Sequence, residues 1–234
     1  MIDALGGGTA IVFGHDWGAP IAWNTARLYP EKVSAVAGLS VPYTPVGVES
    51  SLVLWDAIYA DKFFYQRYFQ TPGVAEAELS VDVARSLRMI YFAISGEGNG
   101  LFLKEKSADA KLLDGLVDPD PFPSWLTSDE LQTYVESIEA GGWHGPLNRY
   151  RAQGLDAAEL GSRPDPELTP PAIFIGGERD AVRHFVPGID IFEFAPLACT
   201  DFRGTTIVSG VGHWVQQEAP DATNAALATF LATL

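Results

Sequence analysis

The sequence predicts an α/β protein, a parallel sheet flanked by helices and interrupted by a helical insertion, and three observations carry that prediction. The runs Thr9-Ala10-Ile11-Val12-Phe13 and Val33-Ser34-Ala35-Val36-Ala37-Gly38-Leu39 are nearly continuous in small and β-branched apolar residues. Strands covered on both faces read this way, whereas half-exposed strands alternate. The first run leads directly into a helix-compatible segment, Ala19 to Tyr29. Strand character returns only at Ala172-Ile173-Phe174-Ile175 and Thr205-Thr206-Ile207-Val208, after a long stretch rich in aromatics with helical periodicity.

Taken in order, Met1 to Leu5 reads as the tail of a helix, stopped by Gly6-Gly7-Gly8 through the left-handed backbone that glycine allows. The first strand follows, then a helix to about Pro30, the second strand, and a break at Val41-Pro42-Tyr43-Thr44-Pro45. Within residues 43–168, helices are expected at Ala75 to Ser95 and at Ser128 to Ala140, the latter opened by Ser128-Asp129-Glu130 with acid in its first turn. Breakers stand at Thr71-Pro72-Gly73, at residues 96–100 and at Asp118 to Pro123. The glycines at 96–100 do not open a helix after a strand, so they read as a turn of the insertion and not as a phosphate loop. Pro170-Pro171 precedes the third strand, and Asp221 to Leu234 is an alanine-rich amphipathic helix. Residues 1–42 and 169–234 therefore form the expected core, and 43–168 the helical insertion.

Composition narrows the function. With 234 residues, 47% hydrophobic and 19% charged, the chain can fill an ordinary globular core. A net charge of −15 offers no basic stripe to meet phosphates, which excludes nucleic acid as a partner. Cys199 is the only cysteine, so no disulfide forms within the chain and a reducing compartment is compatible. No apolar run approaches the roughly 20 residues of a membrane span, and Met1-Ile2-Asp3-Ala4-Leu5 has no basic start of a secretory signal. The expected location is the cytoplasm.

The chemistry is concentrated in Gly14-His15-Asp16-Trp17-Gly18, a G-x-D-x-G pentapeptide between strand and helix. This is the strand, sharp turn and helix context of a nucleophile elbow, with aspartate where serine is usual. A serine attacking a saturated carbon would leave an inert ether. A carboxylate leaves an ester that water can cleave, so aspartate suits an alkyl electrophile such as an epoxide or a halide. An elbow nucleophile needs a base to activate water and an acid to orient the base. His213 follows the last strand in Gly210-Val211-Gly212-His213-Trp214, and Asp180 follows the third in Gly176-Gly177-Glu178-Arg179-Asp180, giving the chain order nucleophile, acid, histidine. Glu178 competes with Asp180 for the acid role. His15 is expected to pack in or support the turn, and His144 and His184 to lie on the surface.

The motif Gly14-His15-Asp16-Trp17-Gly18-Ala19-Pro20 resembles that of the epoxide hydrolases of the α/β-hydrolase superfamily. The segment from Tyr65 through Gln70-Thr71-Pro72-Gly73 to Glu76 is similar to part of the lid of soluble epoxide hydrolases, and Asn148-Arg149-Tyr150-Arg151 to another part. The similarity runs through nearly the whole chain. It implies a partial α/β-hydrolase fold with an inserted helical lid. It also implies a pair of tyrosines, Tyr65 and Tyr150, that hydrogen-bond the epoxide oxygen and then protonate it; Tyr68 stays open as an alternative to Tyr65. By the same resemblance His213 takes a proton from water, Asp180 holds its imidazole, and the backbone N–H of Trp17 forms half of an oxyanion hole. No metal or organic cofactor is needed. The substrate class is a small apolar epoxide, with Trp55, Phe63, Phe64 and Phe69 available to line its pocket or to fill the lid core, and a homo-oligomer is compatible with this reading.

The family's first core segment has no counterpart here, including its His-Gly loop with the second oxyanion donor. The expectation is a chain shortened at its start, with the elbow strand left at a sheet edge. Two competing readings stay open: a haloalkane dehalogenase in which Trp17 holds the halide, and an incomplete fragment that only binds or dimerises.

Overall fold

Four parallel strands, β1 (Ala10–His15), β2 (Val33–Leu39), β3 (Ala172–Gly177) and β4 (Phe202–Val208), lie side by side in chain order. The computed structural model describes residues 1–45, 49–163 and 167–234. Between the first two strands runs α1 (Gly18–Leu28). After β2 come α2 (Ser51–Ile58), α3 (Tyr65–Tyr68), α4 (Val74–Leu79), α5 (Val83–Ala93), α6 (Ser128–Gly141), α7 (His144–Arg151) and α8 (Gln153–Leu160). The short α9 (Val215–Glu218) and α10 (Pro220–Leu231) follow β4. No helix among the described residues is long and apolar enough to cross a membrane.

Two compact units result. The first comprises Met1–Pro45, Ser95–Glu97 and Pro164–Leu234, and the second Val46–Ile94 and Gly98–Arg163. Ser95–Glu97 belong to the sheet unit, although the sequence reads 96–100 as one turn of the insertion. The reason is steric. A Cβ on Gly96 would lie 2.1 Å from the Gly210 carbonyl oxygen, an approach to the loop after β4 that glycine alone permits.

In the sheet unit, the ladder pairs His15 with Leu39 and Leu39 with Ile175, and Ile175 with Thr206, so the carboxyl ends of all four strands emerge along one edge. Ligands of open parallel sheets bind at such an edge. One face is packed by α1, whose buried Trp23 lies so close to β2 that a Cβ on Gly38 would sit 2.0 Å from its ring. On the other face Ala35, Ala37, Leu39, Ile173, Ile175 and Val208 form a core with Val215 of α9 and Phe230 of α10. Ile11 and Phe13 pair with Ala35 and Ala37 and so share that face, yet they stay 42% and 44% exposed. β1 is an edge strand, and the apolar sequence that reads as covered on both faces is open on this one.

The second unit is helical, with a core of Phe69, Ala75, Leu79, Leu87, Leu112, Val135, Trp143 and Leu147. The helix expected over Ala75 to Ser95 is two. Asp82 accepts a hydrogen bond from the Arg85 N–H and caps α5, so the chain restarts after Ser80-Val81 instead of running through. The helix expected from Ser128 is capped one residue earlier, where Thr127 and Glu130 form a reciprocal capping box. At the start of the chain only Asp3–Leu5 is helical, as a single 3-10 turn before the three glycines, all with positive φ.

Candidate active site

Asp16 leaves β1 with φ +51°, a left-handed conformation uncommon outside glycine though Asp tolerates it better than most. Its N–H donates to the Leu39 carbonyl, and its own carbonyl accepts from the Ala19 N–H at the start of α1. The turn is tight because a Cβ on Gly14 would lie 2.1 Å from the Gly18 carbonyl oxygen. A Cβ on Gly18 would meet nothing within 4 Å, so of the two glycines only Gly14 is demanded sterically. The Asp16 side chain keeps 38% of its surface accessible.

His213, beyond β4, meets Asp16, and Asp180, beyond β3, meets His213. His213 is 3% exposed; its Nε2 lies 3.0 Å from Asp16 Oδ2, and its Nδ1 lies 3.1 and 3.2 Å from the two oxygens of Asp180. Asp180 is fully buried and also accepts the Val182 N–H at 2.9 Å, which caps the 3-10 turn Ala181–His184 and fixes the carboxylate. Burial by itself would lower the imidazole's pKa, but the Asp180 charge and the hydrogen bonds to Asp16 and Asp180 outweigh it and raise the pKa to about 10. For Asp16, burial acts to raise the pKa, while the hydrogen bond and charge of His213 and the Trp17 N–H hold it below the usual value. The geometry suits an imidazolium, which can donate from both ring nitrogens, to Asp16 and to Asp180.

Glu178, the competing acid, is committed elsewhere: one of its oxygens accepts from Ser209 Oγ and from the Gly210 N–H, both at 2.8 Å. His15 supports the loop after β4, its Nε2 donating to the His213 carbonyl at 2.8 Å. The same carbonyl accepts from Ser40 Oγ at 2.6 Å. Ser40 is fully buried with φ +66°, and nothing in the local sequence marks it out. His144 and His184 are both exposed.

The two tyrosines lie together within the helical unit. Tyr65 opens α3 and Tyr150 belongs to α7, with ring centroids 5.7 Å apart, edge to face, and Phe69 against both. Gln66 Nε2 donates to Tyr65 Oη at 2.9 Å, and Gln153 Nε2 holds the Tyr150 carbonyl at 2.9 Å. The Tyr65 phenol oxygen thus accepts a hydrogen bond within the helical unit. Tyr68 differs. Its hydroxyl donates to Glu78 Oε2 at 2.7 Å, and burial together with that carboxylate pushes its pKa up. Glu78 also accepts the Leu112 and Leu113 N–H groups, so Tyr68 is part of the helical unit's internal bonding.

Residues 1–115 match the family of the alpha/beta hydrolase fold. The whole chain is 32% identical to epoxide hydrolase B of Mycobacterium tuberculosis, covering 75% of that protein, and 33% identical to epoxide hydrolase A of the same organism, covering 72%. The chain belongs to the epoxide hydrolases. Solved structures of the family agree with the architecture. An epoxide hydrolase from an endophytic Streptomyces superposes with a TM-score of 0.89 at 38% identity, over 99% of this chain and 70% of that one. Epoxide hydrolase A of Mycobacterium thermoresistibile gives 0.87 at 37% identity, over 99% and 72%. As an epoxide hydrolase chain, this one combines a sheet with its acidic and imidazole groups at the carboxyl edge and a helical unit that carries the tyrosine pair.

Proposed function

We propose that this chain hydrolyses small apolar epoxides to vicinal diols through an ester on Asp16. The observation that carries the proposal is the Asp16–His213–Asp180 arrangement, with a carboxylate at the elbow where acyl chemistry would need an alcohol. An Asp16 oxygen attacks a ring carbon, the carbon–oxygen bond opens, and the oxygen takes a proton from the Tyr65 and Tyr150 pair. A phenol with its ordinary pKa near 10 is acidic enough to protonate the alkoxide that forms.

Esterification removes the Asp16 charge. His213 then loses one of the two anions that raise its pKa, and its Nε2 proton leaves to restore the tyrosine. The neutral ring, still oriented by Asp180, takes a proton from water as that water attacks the ester carbonyl. The Trp17 N–H, which already hydrogen-bonds the Asp16 carboxylate, stabilises the oxyanion. Collapse releases the diol and restores Asp16, and the sum is one water added to one epoxide.

The tyrosine pair with Gln66 behind it favours an epoxide over a haloalkane, because a halide leaving group needs hydrogen-bond donors but no proton. The test is to incubate the protein with styrene oxide and, separately, with 1-bromobutane. Diol formation without bromide release is expected. Bromide release without diol would overturn the assignment in favour of a dehalogenase, and neither product would favour a binding module.

A further inference from the structure

Glu218 closes α9, five residues beyond His213, and its carboxylate turns back onto the loop that carries the imidazole. Its Oε1 accepts the Trp214 N–H at 3.0 Å, and its Oε2 accepts the N–H groups of Gly212 at 3.1 Å and Gly96 at 2.8 Å. The Trp214 N–H belongs to the same peptide group as the His213 carbonyl, which Ser40 Oγ and His15 Nε2 hold from the other side. That one peptide plane is thus clamped at both ends, and the Gly212 N–H fixes the chain just before it. Rotation of the plane would swing the imidazole about its own Cα.

We propose that Glu218 is a positioning residue for the ester-cleaving step: by gripping the Gly212, Trp214 and Gly96 N–H groups it sets where His213 Nε2 stands relative to Asp16. The inference rests on the reading of Asp16, Asp180 and His213 given above. A surface glutamate at a helix end would not behave so. Burial pushes its carboxyl pKa up, and three backbone donors are what keep a partly buried carboxylate tolerable. The clamp also depends on close backbone approach. A Cβ on Gly177 would lie 2.0 Å from the Gly212 carbonyl oxygen, so the loop is pressed on β3 as well as tied to Glu218. Arg179 completes the frame, donating its N–H to the Val211 carbonyl and Nη1 to the Gly96 carbonyl.

The role predicts a split between the two chemical steps, because Asp16 attacks without needing a neutral base whereas water needs one. In Glu218→Gln the side chain keeps its length, but its amide nitrogen must face a backbone N–H. The experiment is rapid quench with styrene oxide followed by intact-protein mass spectrometry, which follows the alkylated enzyme as it forms and decays. Alkylation should stay within about 3-fold of the parent while ester decay slows by roughly 10²-fold, the cost of an ångström-scale misplacement, so the ester accumulates. Glu218→Asp keeps the charge, withdraws the carboxylate by one methylene and carries the same expectation. A merely structural role would lower both steps together with the folded fraction, and that result overturns the proposal. His213→Gln is run beside it. If that variant traps the ester and both Glu218 variants clear it at the parental rate, the Glu218 role fails alone; if His213→Gln traps nothing, the reading of the site fails and Glu218 with it.

Discussion

His15 Nε2 donates to the His213 carbonyl oxygen at 2.8 Å, with the two rings 4.8 Å apart. The donation requires a proton on His15 Nε2, and the neighbouring imidazolium disfavours a second charge. Burial first, and then the His213 charge, lower the His15 pKa to about 4. The two histidines thus depart from the ordinary value of 6.5 in opposite directions, with His213 raised to about 10.

Their contributions to stability have opposite signs with pH. Between pH 6.5 and 4 the unfolded chain protonates His15 while the folded chain does not, so the stability associated with neutral His15 is lost as pH falls through that window. His213 contributes fully below pH 6.5, and its contribution is lost as pH rises toward 10. Relative to the parent, His15→Gln should therefore gain on the order of 2 kcal/mol between pH 6.5 and 4, measured by urea unfolding at a series of pH values. A parallel pH dependence in the two proteins would remove His15 from the account.

The proposed ester on Asp16 predicts an isotopic signature. In a single turnover in ¹⁸O-water, with enzyme in excess, the first diol should carry no label because its new oxygen comes from the Asp16 carboxylate, and the label should appear in the enzyme. Labelled diol in the first turnover would mean direct attack by water. Asp16→Asn should lower turnover by about 10⁴-fold or more and form no alkyl-enzyme.

The tyrosine pair predicts a defect confined to ring opening. Tyr65→Phe and Tyr150→Phe should each slow alkylation by about 10²–10³-fold, the usual loss for one donor aimed at a developing oxyanion, and the double variant should be slower than either. Tyr68→Phe breaks the bond to Glu78 and should instead lower the midpoint of thermal unfolding with little effect on alkylation. A loss of alkylation in Tyr68→Phe as large as in Tyr65→Phe would reverse that assignment.

Gly38 and Gly18 give a contrast in stability. Gly38→Ala puts a methyl 2.0 Å from the Trp23 ring and 2.7 Å from its Nε1, which donates to the Val41 carbonyl. Overpacking at this contact should cost about 1–3 kcal/mol in urea unfolding. Gly18→Ala, which meets nothing within 4 Å at the first position of α1, should be neutral within about 0.5 kcal/mol.

Much of this protein is legible in its sequence because the signals are local. Strand character at residues 9–13, 33–39, 172–175 and 205–208 falls on the four observed strands, Ala10–His15, Val33–Leu39, Ala172–Gly177 and Phe202–Val208, and the order of Asp16, Asp180 and His213 follows from their positions just beyond strand ends. Parallel pairing then brings those ends to one edge, which is why three residues spread over almost 200 positions could be grouped without coordinates. What the sequence left open is what depends on approach across the fold. Glu178 and Asp180 are two residues apart and chemically alike, and only packing directs Asp180 to the imidazole and Glu178 to the Gly210 N–H. Tyr65 and Tyr68 lie one turn apart on α3, and packing tells them apart: Tyr68 donates to Glu78, whereas Tyr65 accepts from Gln66 and meets the Tyr150 ring. Ser40, His15 and Glu218 act on the backbone around His213 from three different elements, and no periodicity or spacing registers a hydrogen bond to a distant peptide group. The sequence determined which chemical groups are present and at which strand ends; the tertiary structure decided which of them share protons, because hydrogen bonding depends on separations of about 3 Å that chain distance does not encode.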